Sequence, residues 1–232
     1  MVQLGGFSED VVRARAQEQY RNGRAKTEIE IGATALVVID MLDEFVKPEW
    51  SPFWVPEATR QVPRIRGLID AFHDADMPVI HLGYEVSLRG LNFPTTEWVV
   101  PIADGFAGFE HDLFQRVSFY GPLQPDPQDL VILKHCYSGF HGTELDLVLR
   151  SLGVRTLVIA GTMSNYCCGA TAREAFWYGY GVIFGSDVNS SDDDELHEAE
   201  LRTLRRGFAR IATAEEILAD LRARTATAAT PA

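Results

Sequence analysis

Two adjacent cysteines, Cys167 and Cys168, stand where a strand pattern gives way to a helix pattern. The apolar run 157–159 predicts a buried strand, a turn follows at Gly161, and the small residues from Ala170 onward predict a helix. The amino end of a helix carries about half a positive charge, which favours the thiolate form of a cysteine. Because a thiolate attacks carbonyl carbon, this segment predicts nucleophilic catalysis.

Two other predicted strands end in groups that such catalysis needs. The apolar run 34–39 is followed by Asp40, and the run 130–133 by Lys134. The carboxyl ends of parallel strands meet at one edge of a sheet, so we expect an acid, a base and a thiol to lie together there. Asp40 alone could equally be a helix cap or a loop acid. It is the joint occurrence at equivalent strand ends that indicates a site.

The elements that must position these residues alternate between strand and helix. We predict strands near 34–40, 77–82, 130–134, 155–160 and 181–185, and helices near 11–22, 57–75, 143–151, 169–178, 193–206 and 214–222. The aromatic and proline-rich stretch 41–54 is predicted to be a loop. This alternation predicts an α/β fold, a three-layer doubly wound (Rossmann-like) and mostly parallel sheet with helices on both faces.

The predicted domain has an appended segment at each end. We expect residues 1–30 to form an N-terminal helical arm that packs on the domain or on a neighbouring subunit. Residues 31–222 form the main domain, and 223–232 a flexible tail. Periodicity is weak over 83–119, where we expect short elements and lid-like segments that carry part of a substrate pocket.

Composition excludes several classes of partner. The formal net charge is −12, which argues against nucleic acid and against an anionic membrane surface. The amino-terminal residues show no signal-peptide pattern, and no apolar run is long enough for a membrane helix. Three cysteines, two of them adjacent, make a poor disulfide framework, so we expect a cytoplasmic location.

Three motifs together resemble the isochorismatase-like cysteine hydrolases. Ala35-Leu-Val-Val-Ile-Asp-Met41 with Phe45 is similar to the family's first motif, and Lys134 with Tyr137-Ser-Gly-Phe-His-Gly-Thr-Glu-Leu145 to its lysine motif. Gly161-Thr-Met-Ser-Asn-Tyr-Cys-Cys-Gly-Ala-Thr-Ala-Arg-Glu-Ala175 is similar to its cysteine motif. The resemblance covers about residues 34–218 and is strongest to the amidohydrolase branch, which includes N-carbamoylsarcosine amidase and ureidoacrylate amidohydrolase.

The resemblance implies a catalytic triad of Asp40, Lys134 and Cys167. Cys167 lies four positions before Thr171, which is the family's nucleophile position, and Cys168 then falls on a packing position. Asp40 is expected to act as general base and then as general acid. Lys134 is expected to be a fixed positive charge that lowers the pKa of the thiol.

The resemblance also implies an oxyanion hole made of backbone N–H groups. The donors would be those of Met163 and Cys167, after a cis peptide bond between Thr162 and Met163. Donors that are already in place stabilise the charge that develops on the carbonyl oxygen.

Two departures from the family pattern bear on substrate and metal. Leu42 stands where many members have glutamine, so a side-chain amide that could orient substrate is missing. The family's metal-binding branch uses an Asp-x-His pattern that the segment 81–89 lacks. We therefore expect no catalytic metal and no cofactor.

Candidates for substrate contact are loop aromatics and one amide, each of which is equally open to plain packing. They are Phe45, Trp50, Trp54, Trp98, Tyr137 and Asn165.

These observations predict a metal-independent cysteine amidohydrolase. Its substrate would be a small amide, carbamoyl or ureido compound, cleaved through a thioester with release of ammonia or an amine. The alternatives are an isochorismatase-type vinyl-ether hydrolase and a non-catalytic binding domain on the same fold. The resemblance alone implies a homo-oligomer, either a dimer or a tetramer.

Overall fold

The computed structural model of the protein describes residues 7–85, 113–114 and 116–228. Within them, six parallel strands form one sheet with helices on both faces. The predicted three-layer α/β architecture is therefore confirmed.

The strands and helices alternate along the chain. The strands are β1 (Thr34–Ile39), β2 (Val79–Tyr84), β3 (Leu130–Lys134), β4 (Thr156–Thr162), β5 (Gly181–Ser190) and β6 (Arg210–Ala212). The helices are α1 (Glu9–Asn22), α2 (Asp43–Val46), α3 (Pro56–Asp74), α4 (Leu145–Ser151), α5 (Gly169–Trp177), α6 (Asp194–Gly207) and α7 (Ala214–Ala228).

The sheet order is β3-β2-β1-β4-β5-β6. The chain builds outward from β1 to β3 on one side, then returns to add β4 to β6 on the other. Strand order thus reverses between the central strands β1 and β4, and open α/β sheets bind ligands at the carboxyl ends of the strands at such a point. Ile39 at the end of β1 pairs with Gly161 in β4, so the last residues of both strands lie side by side.

Each face of the sheet carries its own apolar core, as expected for strands buried on both sides. On one face α3 and α7 pack through Ile65, Leu68, Ile69, Phe72 and Ile217. On the other, α4, α5 and α6 pack through Leu145, Leu149, Ala172, Leu201 and Leu204. The six residues of β1 are all buried, which fixes the strand that precedes Asp40.

The structure differs from the predicted elements in several places. The stretch expected to be a loop contains a single helical turn, α2. Strand β5 runs to Ser190 rather than 185, because buried Asn189 donates its amide hydrogens to the carbonyls of Ile159 and Gly185 and replaces ladder bonds where the β4–β5 register shifts. Strand β6 was not predicted, since three residues give no readable period. Helix α7 continues to Ala228, beyond the predicted end near 222.

Helix α1 packs on α6 of the same chain. Arg206 donates to the Tyr20 hydroxyl at 2.8 Å, and its guanidinium lies 4.6 Å from the Tyr20 ring centre. No residue of α1 is buried, so the arm is held by polar and stacking contacts. None of the helices in the described ranges combines the length and apolar character needed to span a membrane.

Candidate active site

The structure brings Asp40, Lys134 and Cys167 together at the carboxyl edge of the sheet. Asp40 follows β1, Lys134 ends β3, and Cys167 lies in the turn after β4. Lys134 Nζ is 2.7 Å from Asp40 Oδ2 and 3.2 Å from Cys167 Sγ. Asp40 and Lys134 are fully buried and Cys167 is 8% exposed. The three strand ends predicted to meet therefore form one contact cluster.

The Asp40 carboxylate is held by charge rather than by hydrogen bonds. Apart from the ion pair with Lys134, neither of its oxygens accepts a hydrogen bond of good geometry from any residue that the structure describes. Asp40 also has a φ of 51°, a left-handed backbone conformation that a non-glycine residue adopts at a cost. The buried carboxylate therefore keeps lone pairs that no described hydrogen-bond donor uses.

Lys134 remains an ammonium in this cluster. Burial works to lower its pKa, but the charges of Asp40 and Cys167 outweigh that effect, and the pKa is raised above its ordinary value. It also donates to the Cys136 carbonyl at 3.1 Å. The ammonium therefore contacts a carboxylate, a thiol and a carbonyl.

The pKa of Cys167 lies in the direction opposite to the one expected from sequence. Burial and then the Asp40 carboxylate raise this pKa, while Lys134 works to lower it, and the net direction is upward. Lys134 lowers the pKa of the thiol as expected, but desolvation and the nearby Asp40 anion outweigh the ammonium, so the net direction differs from the expected one. Burial and the Asp40 carboxylate thus disfavour the thiolate, whereas Lys134 favours it.

The turn that carries Cys167 is irregular. The peptide bond between Thr162 and Met163 is cis, and residues Ser164–Cys168 form a π-helical turn before α5 begins. The Met163 carbonyl accepts the N–H groups of Tyr166 and Cys168, both at 3.1 Å. These bonds fold the turn back on itself beside the end of β4.

Two helices brace this turn, through residues that the sequence analysis did not single out. Gln61 of α3 donates to the Gly161 carbonyl at 3.1 Å. Ser164 Oγ lies 2.7 Å from Nδ1 of His197 in α6. The sequence placed Gln61 and His197 in predicted helices, but nothing in it indicated that either residue contacts this turn.

Thr171 links the turn to the loop that follows Lys134. Its hydroxyl donates to the Cys167 carbonyl at 2.7 Å and accepts the N–H of Gly139 at 2.9 Å. The Thr171 hydroxyl therefore joins the turn that carries Cys167 to the loop that follows Lys134.

The predicted substrate contacts are divided between the site and its surroundings. The Tyr137 ring packs on Tyr166, with centroids 5.3 Å apart, and Phe45 packs on Phe114 at 5.1 Å. Asn165 Oδ1 accepts a hydrogen bond from the Ser191 hydroxyl at 2.8 Å, so the oxygen of this amide already has a partner within the protein.

Two of the predicted tryptophans make contacts with neighbouring residues of their own segment. Trp54 donates its indole N–H to Thr59 at 2.9 Å, and the Trp50 ring lies beneath Lys47, whose Nζ is 5.1 Å from the ring centre. Trp98 lies outside the described residues.

Two residues beside the triad were missed. Tyr84 ends β2, and its ring centre lies 5.3 Å from Lys134 Nζ. The sequence pattern ended this strand at Leu82, although a strand-end position was the signal that identified Asp40 and Lys134. Glu44 in α2 is 2% exposed; one of its oxygens accepts the Phe114 N–H at 3.0 Å, and the other has no hydrogen-bond partner within the described ranges.

The other two cysteines are buried thiols. Cys168 is fully buried in the core under α5, and Cys136 is 6% exposed. Burial raises the pKa of both. Cys168 therefore occupies the packing position expected of it.

A group with metal-ligand chemistry lies at the opposite edge of the sheet. In the part of the chain that the structure describes, His73, Asp126 and Asp129 bring potential ligand atoms close together near the amino ends of β2 and β3. Asp126 is already paired with Arg66 at 2.9 Å, and Asp129 with His73 and His81. This group is not part of the triad.

The chain matches the isochorismatase domain family over residues 34–216. Ureidoacrylate amidohydrolase RutB from Acinetobacter baylyi is 29% identical over 197 residues, covering 75% of this chain and 78% of that protein. A cysteine hydrolase from Pseudomonas syringae pv. phaseolicola has a TM-score of 0.77 at 27% identity, covering 86% of this chain and 97% of that one. N-carbamoylsarcosine amidase from Thermoplasma acidophilum has a TM-score of 0.63 at 28% identity, covering 80% and 98% of the two chains.

Proposed function

This chain belongs to the isochorismatase family, and from that premise we propose that it is a metal-independent cysteine amidohydrolase. It cleaves a C–N bond of a small amide, carbamoyl or ureido compound and releases ammonia or an amine. The family match and the amidohydrolase relatives support a hydrolase. Lys134 supplies the positive charge beside the carboxylate and the thiol, so the proposed reaction needs no metal ion for this role.

The observation that carries the proposal is the buried contact of one ammonium with both Asp40 and Cys167. The thiol has a raised pKa and so needs a base at the moment of attack. Asp40, with unused lone pairs, takes the thiol proton as sulfur bonds to the carbonyl carbon. Lys134 balances the negative charge throughout.

The remaining steps use the same groups. The oxyanion of the tetrahedral intermediate accepts the backbone N–H groups of Met163 and Cys167. Asp40 returns the proton to the leaving nitrogen, the C–N bond breaks, and a thioester remains on Cys167. Water, deprotonated by Asp40, then attacks the thioester carbonyl, and the released thiolate takes back a proton.

An ammonia-release screen tests the proposal. The purified protein is incubated with ureido, carbamoyl and amide compounds, beside Cys167→Ala and Cys168→Ala variants. We expect release by the wild type and by Cys168→Ala, and a loss of more than about 1,000-fold in Cys167→Ala. The adjacent cysteine is the matched control, since it is buried and does not touch Lys134.

Two outcomes of this screen would contradict the proposal. Ammonia release that survives in a folded Cys167→Ala variant would remove the nucleophile. Hydrolysis of a vinyl ether that is independent of Cys167 would favour the other reaction class. Mass spectrometry of the stalled wild-type enzyme should find the acyl group on the peptide containing Cys167.

A further inference from the structure

Tyr84 and Lys134 are neighbours by strand register. They end β2 and β3 and form the last pair of the parallel ladder between these strands. Paired residues on adjacent strands project on the same side of the sheet. The Lys134 ammonium lies 5.3 Å from the centre of the Tyr84 ring, inside the range of about 6 Å over which an aromatic face attracts a cation.

The ring adds a contact that hydrogen bonds do not provide. Lys134 donates hydrogen bonds to Cys167 Sγ and the Cys136 carbonyl and forms an ion pair with Asp40 Oδ2, so its ammonium contacts three groups. These partners set the direction of the ammonium, but the flexible side chain of a lysine can still move sideways. On the side of β2, the Tyr84 ring is in contact with the ammonium and limits that movement.

Tyr84 is itself held by its ring. Phe114 packs edge-on against it at 5.5 Å, and Phe114 in turn contacts Phe45 and Phe53 at 5.1 and 5.5 Å. Among the described residues, the Tyr84 hydroxyl makes no hydrogen bond. Burial raises the pKa of Tyr84, so the phenol stays neutral and adds no negative charge beside the thiol.

We propose that Tyr84 is a positioning residue whose aromatic ring confines the Lys134 ammonium between Asp40 and Cys167, and that the ring rather than the hydroxyl does this. The inference rests on the proposed function, in which Lys134 stabilises the thiolate. It adds a fourth residue to the triad, and that residue acts through Lys134 without reacting.

The first test compares variants that keep or remove the ring. Tyr84→Leu and Tyr84→Met remove it, whereas Tyr84→Phe removes only the hydroxyl. With an amide substrate found in the screen, we expect kcat to fall about 3- to 30-fold in the Tyr84→Leu and Tyr84→Met variants. This factor corresponds to the free energy of one lost cation–π contact. KM should change less than kcat, and Phe should restore most of the rate. Circular dichroism and thermal melting identify any variant that fails to fold.

The second test needs no substrate. The rate at which iodoacetamide alkylates Cys167 is measured from pH 6 to 10 in a Cys136→Ala/Cys168→Ala background. Because Lys134 works to lower the pKa of this thiol, a less confined ammonium should move the alkylation profile to higher pH in Leu and Met. The alkylation profile of the Tyr84→Phe variant should overlay that of the protein that retains Tyr84.

The outcomes separate this inference from the proposed function. Unshifted profiles in both folded ring-less variants would overturn the inference, and so would a Phe variant as impaired as Leu, which would assign the role to the hydroxyl. A protein that releases no ammonia but shows the ring-dependent shift would sink the amidohydrolase proposal and leave the positioning role standing.

Discussion

The thiol of Cys167 is surrounded by groups that oppose its ionisation. Burial and the Asp40 carboxylate raise its pKa more than Lys134 lowers it. In the proposed mechanism, attack is therefore coupled to transfer of the thiol proton, with Asp40 as the acceptor. This distinguishes the site from one in which a preformed thiolate waits for substrate.

An Asp40→Asn variant tests that coupling. The amide keeps the size of the side chain but accepts no proton, so we expect kcat to fall about 100- to 10,000-fold, the usual contribution of a general base. Steady-state kinetics of ammonia release near pH 7.5 measures it. Asp43→Asn is the control, since Asp43 accepts the Ser118 hydroxyl at 2.9 Å and lies on the same segment. A folded Asp40→Asn enzyme with unchanged kcat would argue against this base.

Glu44 should make stability depend on pH. Burial raises its pKa, so the folded state binds the proton more readily than the unfolded state. The stabilising contribution is then complete at pH values below the unfolded pKa and is lost as pH rises through the folded pKa. In Glu44→Gln the amide oxygen can still accept the Phe114 N–H, but no charge has to be buried.

We therefore expect Glu44→Gln to gain stability relative to wild type as pH rises from about 4 to 7. Urea unfolding at a series of pH values measures the difference in the free energy of unfolding. A difference that stays constant across this range, or that shrinks with rising pH, would contradict the burial argument.

At the residue scale, the sequence reveals reactive groups at strand ends but not their neighbours across strands. Asp40, Lys134 and the cysteine pair could be predicted because each follows an apolar run, and the resemblance to the family selected Cys167 from the pair. The contact between Tyr84 and Lys134 depends on the register of two strands whose connection includes a long weakly patterned stretch. The direction of the Cys167 pKa was missed for a related reason, since burial follows from the fold and not from local spacing.

At the element scale, the junction between β1 and β4 constrains the nucleophile turn. Gly161 has a φ of 137°, and a Cβ at this position would lie 2.0 Å from the carbonyl oxygen of Ile39. Only glycine combines this backbone conformation with so close an approach. The turn that starts at the next residue can therefore lie beside Asp40.

Gly161→Ala should consequently be among the most damaging single substitutions in the sheet. We expect it to lower the free energy of unfolding by about 3 kcal/mol or more, because backbone has to move and strain is added. Chemical denaturation measures the loss. Gly67→Ala in α3 is the matched control, where a Cβ meets nothing within 4 Å and helix propensity favours alanine by up to about 1 kcal/mol. Equal effects at the two positions would refute the steric argument.

Element boundaries were predictable where an apolar run begins and ends cleanly. Strand β3 was predicted at its observed bounds, and Ser8 accepts the Val11 N–H as an N-cap of α1. The extension of β5 was not predictable, because its last residues are polar and are stabilised by long-range bonds such as that from Asn189 to Ile159. The single turn of α2 lies among prolines and aromatics that suggest a loop.

At the scale of the whole molecule, fold class follows from alternation alone, whereas the position of each strand in the sheet does not. The five predicted strands indicated a parallel sheet, but only the structure shows β3 on the outside and β1 beside β4. The triad therefore draws two members from the central strands and one from an edge. Lys134 reaches across β2 to meet Asp40.

An edge strand is paired on one side only, and the exposed fractions of Leu130, Val131 and Leu133 range from 38% to 45%. Segments with few buried contacts open locally well below the free energy of global unfolding. On gradual heating we expect ammonia release to decline several degrees before the far-ultraviolet signal, with amide hydrogen exchange faster in β3 than in β1. Coincident transitions, with equal exchange protection in both strands, would contradict this. If activity is instead lost first, the temperature at which the enzyme stops working is set by fraying of its outermost strand and not by melting of its core.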